Sequence, residues 1–164
     1  ILNKVRRDDF IMAFFPCTYF TDQSQIGSRG DGSTMKGWSV ERKLNNSIEL
    51  MWKRAEYYNF FCNLFKYALD AGCKMVVENP YGKCNFLGQY FPVRPAVVIQ
   101  DRRIFGDAYK KPTQFFFLNC KPASKLIQTV AKDTKKNPVE DSHGFDRSII
   151  SPLFAKMFVQ NYFW

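Results

Sequence analysis

The sequence predicts an α/β fold, a mostly parallel sheet with flanking helices. Two apolar runs of strand length stand at residues 10–15 and 74–77. A long stretch with helical spacing joins them, and further apolar runs follow at 96–100 and 114–118. Strand, long helix, strand is a βαβ unit, whose two strands lie parallel.

The elements follow in order. Phe10-Ile11-Met12-Ala13-Phe14-Phe15 is continuously apolar and ends at Pro16, as expected of a central strand covered on both faces. Pro16 stops the ladder, so Cys17 stands at the carboxyl end of that strand. Residues 21–37 hold four Gly among Ser, Thr and Asp and read as a long flexible loop. A loop of that length inside a compact domain is usually functional or disordered. Asn45-Asn46-Ser47 offers N-cap chemistry. From there Ile48, Met51, Trp52, Ala55, Tyr58, Cys62, Phe65 and Leu69 recur at helical spacing, and Gly72 marks the end. Lys74-Met75-Val76-Val77 is the second strand, broken by Asn79-Pro80. Residues 96–100 and 114–118 read as two more strands. Ser151 and Pro152 cap and open a terminal amphipathic helix reaching Phe163. Residues 121–142 form a short polar, lysine-bearing insert within one domain spanning 1–164.

Composition narrows the function classes. With 164 residues and 46% hydrophobic content, the chain has material for a packed core and is too apolar for disorder. No apolar stretch approaches the ~20 residues of a membrane helix. Lys plus Arg outnumber Asp plus Glu by 24 to 15, a net charge of +9. That excess suits an anionic partner, most commonly nucleic acid. Five Cys, no CxxC pair and no secretion signal suit reduced thiols in a cytoplasmic compartment. The lone His143 supports neither a His-based metal site nor a Ser-His-Asp triad. The chain opens at Ile1 rather than Met and reads as a piece of something longer.

Ligands of open α/β sheets bind beyond the carboxyl ends of the strands. Cys17 and Glu78 both fall there. Cys17 follows a Pro and opens the Gly-containing segment, where backbone N–H groups can favour a thiolate. Cys62 and Cys73 are expected in the core, and Cys84 and Cys120 are assigned to structure. Glu78, straight after an apolar strand, is placed to hold and deliver a proton. The alternative for Glu78 is a solvated strand-end carboxylate paired with a Lys.

Phe15-Pro16-Cys17-Thr18-Tyr19-Phe20-Thr21 resembles the Pro-Cys motif of cytosine-C5 DNA methyltransferases. Glu78-Asn79-Pro80 resembles their Glu-Asn motif. Phe105-Gly106-Asp107 with Lys111-Pro112-Thr113, and the ending from Arg147 to Trp164, are similar to compact phage-like members. The resemblance runs in order along essentially the whole chain. It implies a partial Rossmann-like fold and transfer of a methyl group from S-adenosylmethionine to C5 of cytosine in DNA. It makes Cys17 the thiolate that adds to C6 of a flipped base, and Glu78 the group at N3. The enamine formed takes the methyl group at C5, and elimination releases the thiol. Pro16, Asn79, Pro80 and Thr21 would shape the substrate pocket. Gln100-x-Arg102 is similar to the family's Gln-x-Arg-x-Arg motif, with Ile104 at the second Arg, which makes Arg102 a substrate contact. Residues 21–37, with Arg29 and Lys36, resemble the mobile loop that closes over DNA; the same stretch also reads as plain disorder without DNA. The family's acidic-Phe-x-Gly-x-Gly cofactor turn is absent, so the fold is expected to be incomplete at its N-terminus. An N-terminal segment or a second chain would complete the cofactor site. The alternative is a degenerate methyltransferase-like module that holds DNA without catalysis. A weaker third reading is an unrelated α/β thiol enzyme.

Overall fold

The computed structural model describes residues 5–83, 85–123, 126–130 and 150–163. Cys84, His143 and most of the polar insert lie outside the described residues. The elements run β1 (Phe10–Phe14), α1 (Asp22–Ser28), α2 (Val40–Ala71), β2 (Lys74–Pro80), α3 (Phe86–Tyr90), β3 (Val97–Ile99), β4 (Thr113–Leu118) and α4 (Pro152–Tyr162). Short 3-10 turns fall at Ser33–Met35 and Arg102–Phe105.

The chain is mixed α/β with an open four-stranded sheet in the order β1-β2-β4-β3. β1 and β2 are parallel across the long α2 connection, as predicted, but β1 is an edge strand of the described sheet with Phe10 and Phe14 exposed, not a central strand covered on both faces. The sheet is mixed: β1, β2 and β3 run in one direction, and β4, between β2 and β3, runs antiparallel to both. Parallel neighbours need a crossover of a dozen or more residues, usually a helix. Here α3 lies in the crossover from β2 to β3, which run in the same direction, and the chain reverses only after β3, through residues 100–112, to place β4 between them.

Side-chain alternation divides the core into two layers. Met75 and Val77 of β2, with Phe116 and Leu118 of β4, face α2 and meet Phe61, Leu64, Phe65 and Ala68. Val76, Phe115 and Phe117 face the other way and meet Phe154, Met157 and Phe158 of α4. Ring contacts tighten both layers: Phe61 lies edge-on to Phe91 at 4.8 Å, and Phe115 stacks on Phe158 at 4.0 Å. Each fully buried ring contributes about 2–3 kcal/mol of transfer free energy.

Three element boundaries differ from expectation. The supposed loop 21–37 contains α1, because Thr21 accepts from the Ser24 amide at 3.3 Å and Asp22 stands in the first turn. The long helix starts at Ser39, whose hydroxyl accepts from the Arg42 amide at 3.2 Å, not at 45–47. Of its predicted face, Tyr58, Cys62 and Phe65 pack on the core, whereas Ile48, Met51, Trp52 and Leu69 are exposed and Arg54 is buried. Only the C-terminal half of α2 lies on the sheet, so the apolar spacing of its first half has no core to face. Finally, β2 continues through Asn79-Pro80. Pro80 needs no ladder donor at the last rung, and the next amide, Tyr81, bonds to Pro112 O at 3.0 Å. Gly72, at φ +68°, ends α2, and Ser151 caps α4 through the Phe154 amide at 3.4 Å, both as predicted.

Candidate active site

The carboxyl end of β2 carries a buried polar cluster on each face of the sheet. Glu78 shares the α4 face with Val76, and Asn79 shares the α2 face with Val77. Adjacent residues of one motif therefore point to opposite sides.

On the α4 face, Glu78 accepts from the Thr113 hydroxyl of β4. The Arg102 guanidinium stands 3.9 Å from Glu78 through Nη1 and pairs closely with Asp107 through Nη2. Its plane lies over the Phe154 ring at 4.2 Å. Local geometry explains the placement. Asp101 caps the 3-10 turn through the Arg103 amide at 3.1 Å, and Gly106, at φ +82°, reverses the chain after it. That reversal brings Asp107 back beside Arg102, with its amide on Arg102 O at 3.2 Å. The Ser151 hydroxyl locks the corner by donating to Gly106 O at 3.0 Å. Arg102 Nε and Nη1 have no hydrogen-bond acceptor among the described residues. The N–H donors of Arg102 and the Glu78 carboxyl group thus stand side by side inside the protein, with 1% and 7% of their side chains exposed.

On the α2 face the cluster is a brace. Asn85 caps α3 through the Leu87 amide at 3.0 Å and donates to Pro80 O at 2.8 Å. Gln114 donates to Pro80 O at 3.1 Å. Asn79 Oδ1 faces Asn85 Nδ2 at 3.5 Å, and Asn79 Nδ2 has no partner among the described residues. Asn79 and Pro80 thus fix the corner after Glu78.

Cys17 is half-buried just beyond β1. Its carbonyl accepts from the Phe20 amide at 2.9 Å, forming a tight turn that leads into α1. Phe14 pairs in register with Glu78, and three residues of chain place the Cys17 Cα within about 11 Å of the Phe14 Cα. Pro16 is exposed, and Thr21 serves as the α1 cap. Arg29 and Lys36 are exposed beyond α1, with Arg29 paired to Asp31 at 3.5 Å. Cys73 is buried, and Cys62 is half-buried against the same core layer.

Sequence reasoning did not single out Thr113, Asp107, Asn85, Gln114 or Arg54 as site residues. Asp107 had a usable signal, since it follows a Gly directly after an apolar turn. Arg54 had none, because a cation on a helix is ordinarily solvated. It is buried with no carboxylate within ion-pair distance among the described residues. Burial pushes its pKa below the ordinary arginine value, with Tyr90 opposing.

Among the described residues no group of three or more His, Cys, Asp or Glu side chains could hold a metal ion, and no helix is long and apolar enough to cross a membrane. Neither strand-to-helix turn, at 15–21 or at 81–85, brings two glycines together. Compared with known proteins, the chain matches no protein-family model, and neither characterised proteins nor solved structures show a significant match.

Proposed function

We propose that this chain is the catalytic portion of a cytosine-C5 DNA methyltransferase with a partial Rossmann-like fold. The observation that carries the reading is the convergence of Glu78 and Arg102, 24 positions apart in sequence, into one buried pair at 3.9 Å beside the strand end that leads to Pro16-Cys17. The Pro-Cys and Glu-Asn-Pro motifs supply the rest of the support. Cys17 adds to C6 of cytosine: the S–C6 bond forms, and the C5–C6 π electrons shift through the ring to N3, which takes a proton from Glu78 in its acid form, the carboxylate having gained that proton from solvent as the base enters. C5 becomes nucleophilic; a bound donor would supply the methyl group there, and loss of the C5 proton to a base would then expel the Cys17 thiolate. Arg102, held by Asp107, offers its remaining N–H groups to the base. Stacked cytosine cannot reach this site, so the base is flipped out. Thr21, Asn79 and Pro80 shape the surroundings, and the cationic surface including Arg29 and Lys36 meets the DNA backbone. The methyl donor would be S-adenosylmethionine, held by an N-terminal segment or a second chain.

Incubation with 5-fluorocytosine DNA and S-adenosylmethionine tests this. A covalent adduct at Cys17, lost in Cys17→Ser, is the expected result. DNA binding without any adduct, with the donor-binding part supplied, would replace the enzyme with a module that only holds DNA.

A further inference from the structure

Arg54 makes an unusual set of contacts for a buried cation. Nε donates to Tyr19 O at 2.8 Å, two residues after Cys17, and Nη2 donates to Ser28 Oγ at 3.0 Å and Ser24 O at 3.3 Å. Nη1 meets Met51 Sδ at 3.0 Å, and the guanidinium lies 5.2 Å from the centre of the Phe86 ring. All the oxygen acceptors belong to residues 19–28. The Phe86 amide in turn bonds to Phe20 O at 3.1 Å, and Asn85 beside it holds Pro80 O. One side chain therefore ties α2 to the Cys17 turn and to α1, and it reaches the corner that follows Glu78 through the Phe86 ring, next to Asn85.

Burying a guanidinium without a counter-ion is costly. An apolar side chain of similar length would fill the same space without that cost, and a Lys would reach one acceptor, not three. The planar fork is what fits three separated oxygens at once. We infer that Arg54 is a positioning residue, whose fork sets the Cys17 turn in fixed relation to the Glu78-Asn79-Pro80 corner. This rests on the reading that Cys17 and Glu78 act on one substrate, and it adds a residue outside the motifs that suggested that reading.

The test uses Arg54→Lys and Arg54→Met in the full chain, with two readouts. The first is the rate at which iodoacetamide alkylates Cys17, with half-buried Cys62 of α2 as internal reference. Releasing the turn exposes the thiol, so Cys17 is expected to react about tenfold faster in both variants while Cys62 keeps its rate. The second is the rate of adduct formation with 5-fluorocytosine DNA, expected to fall about 100-fold because a displacement of about 1 Å suffices for that loss. DNA affinity should stay within about twofold, since this buried residue is not placed to touch phosphate. Faster alkylation with slower adduct formation is the signature of lost positioning; a general loosening would accelerate Cys17 and Cys62 together and overturn the inference. Unchanged Cys17 alkylation in Arg54→Lys would overturn it too. If wild-type protein forms no adduct, the methyltransferase reading fails, and the alkylation ratio alone decides whether Arg54 holds the turn.

Discussion

Glu78 and Arg102 stand 3.9 Å apart, with 7% and 1% of their side chains exposed, and Asp107 holds the far side of the same guanidinium. One cation thus serves two buried carboxyl groups. Removing it leaves both without a counter-charge, so Arg102→Met is expected to lower stability by about 3–5 kcal/mol. Glu78→Gln keeps the Arg102–Asp107 pair and an oxygen for the Thr113 hydroxyl, so its cost is about 1 kcal/mol. Urea unfolding of the two variants checks the contrast. Equal midpoints would show that Arg102 is not the centre of the cluster.

Gly106 carries the reversal that returns Asp107 to Arg102. Its φ of +82° lies in the region that L side chains avoid, and an added Cβ would collide with the Leu153 side chain of α4. Gly106→Ala therefore combines backbone strain with a clash and should cost more than about 2 kcal/mol. Gly88→Ala, where a Cβ meets nothing within 4 Å, is the control and should be far milder. A thermal melt distinguishes them, and equal shifts would remove the special role of the reversal.

Asn161 of α4 accepts from the Gln128 amide at 2.6 Å and donates to Gln128 O at 2.8 Å, pinning a segment that has left the sheet. Asn161→Ala strips both partners at once and leaves backbone groups unpaired, an expected loss of about 2 kcal/mol. Proteolysis should then cut near Gln128 more readily than in the wild type. Protection equal to wild type would mean that other contacts hold the segment.

The surplus of cations gives a fourth expectation. DNA affinity should weaken steeply with salt, and removal of Arg29 and Lys36 should flatten the log-log slope by about 2 if both meet phosphate. An unchanged slope in that double variant would place the DNA on another face.

Much of the fold was legible because it depends on local chemistry. Pro16 ending an apolar run, Gly72 ending a long helix and Ser151-Pro152 opening the last one each act within a few residues. The direction of β4 was not legible, since it depends on the chain reversing through residues 100–112 after β3 and inserting β4 between β2 and β3. The α2 face was misread because its apolar spacing continues past the edge of the sheet it covers. Within the site, Glu78 and Arg102 were legible as residue types. Their pairing was not, because it is made by Gly106 and Asp107 folding back over Phe154. Arg54 stayed hidden for a related reason: its acceptors are backbone carbonyls and a serine hydroxyl, and neither leaves a charge pattern in sequence.

Stability should fall in alkali. Burial raises the Cys120 thiol above its ordinary 9.0, and likewise raises Tyr162 and Tyr58 above 10.0, with Cys62 adding to the effect at Tyr58. In each case the folded protein holds its proton more tightly than the unfolded chain. The unfolded chain therefore ionises first as pH rises, which draws the equilibrium toward unfolding. These groups contribute fully below about pH 9, and their contribution is lost as pH climbs through the ordinary values toward the raised ones. The urea midpoint should accordingly decline above about pH 9, and Cys120→Ala should remove the earliest part of that decline while Tyr162→Phe removes a later part. A decline that starts at the same pH in Cys120→Ala as in the wild type would show that the Cys120 thiol, which donates to Met75 O at 3.8 Å, does not govern its onset.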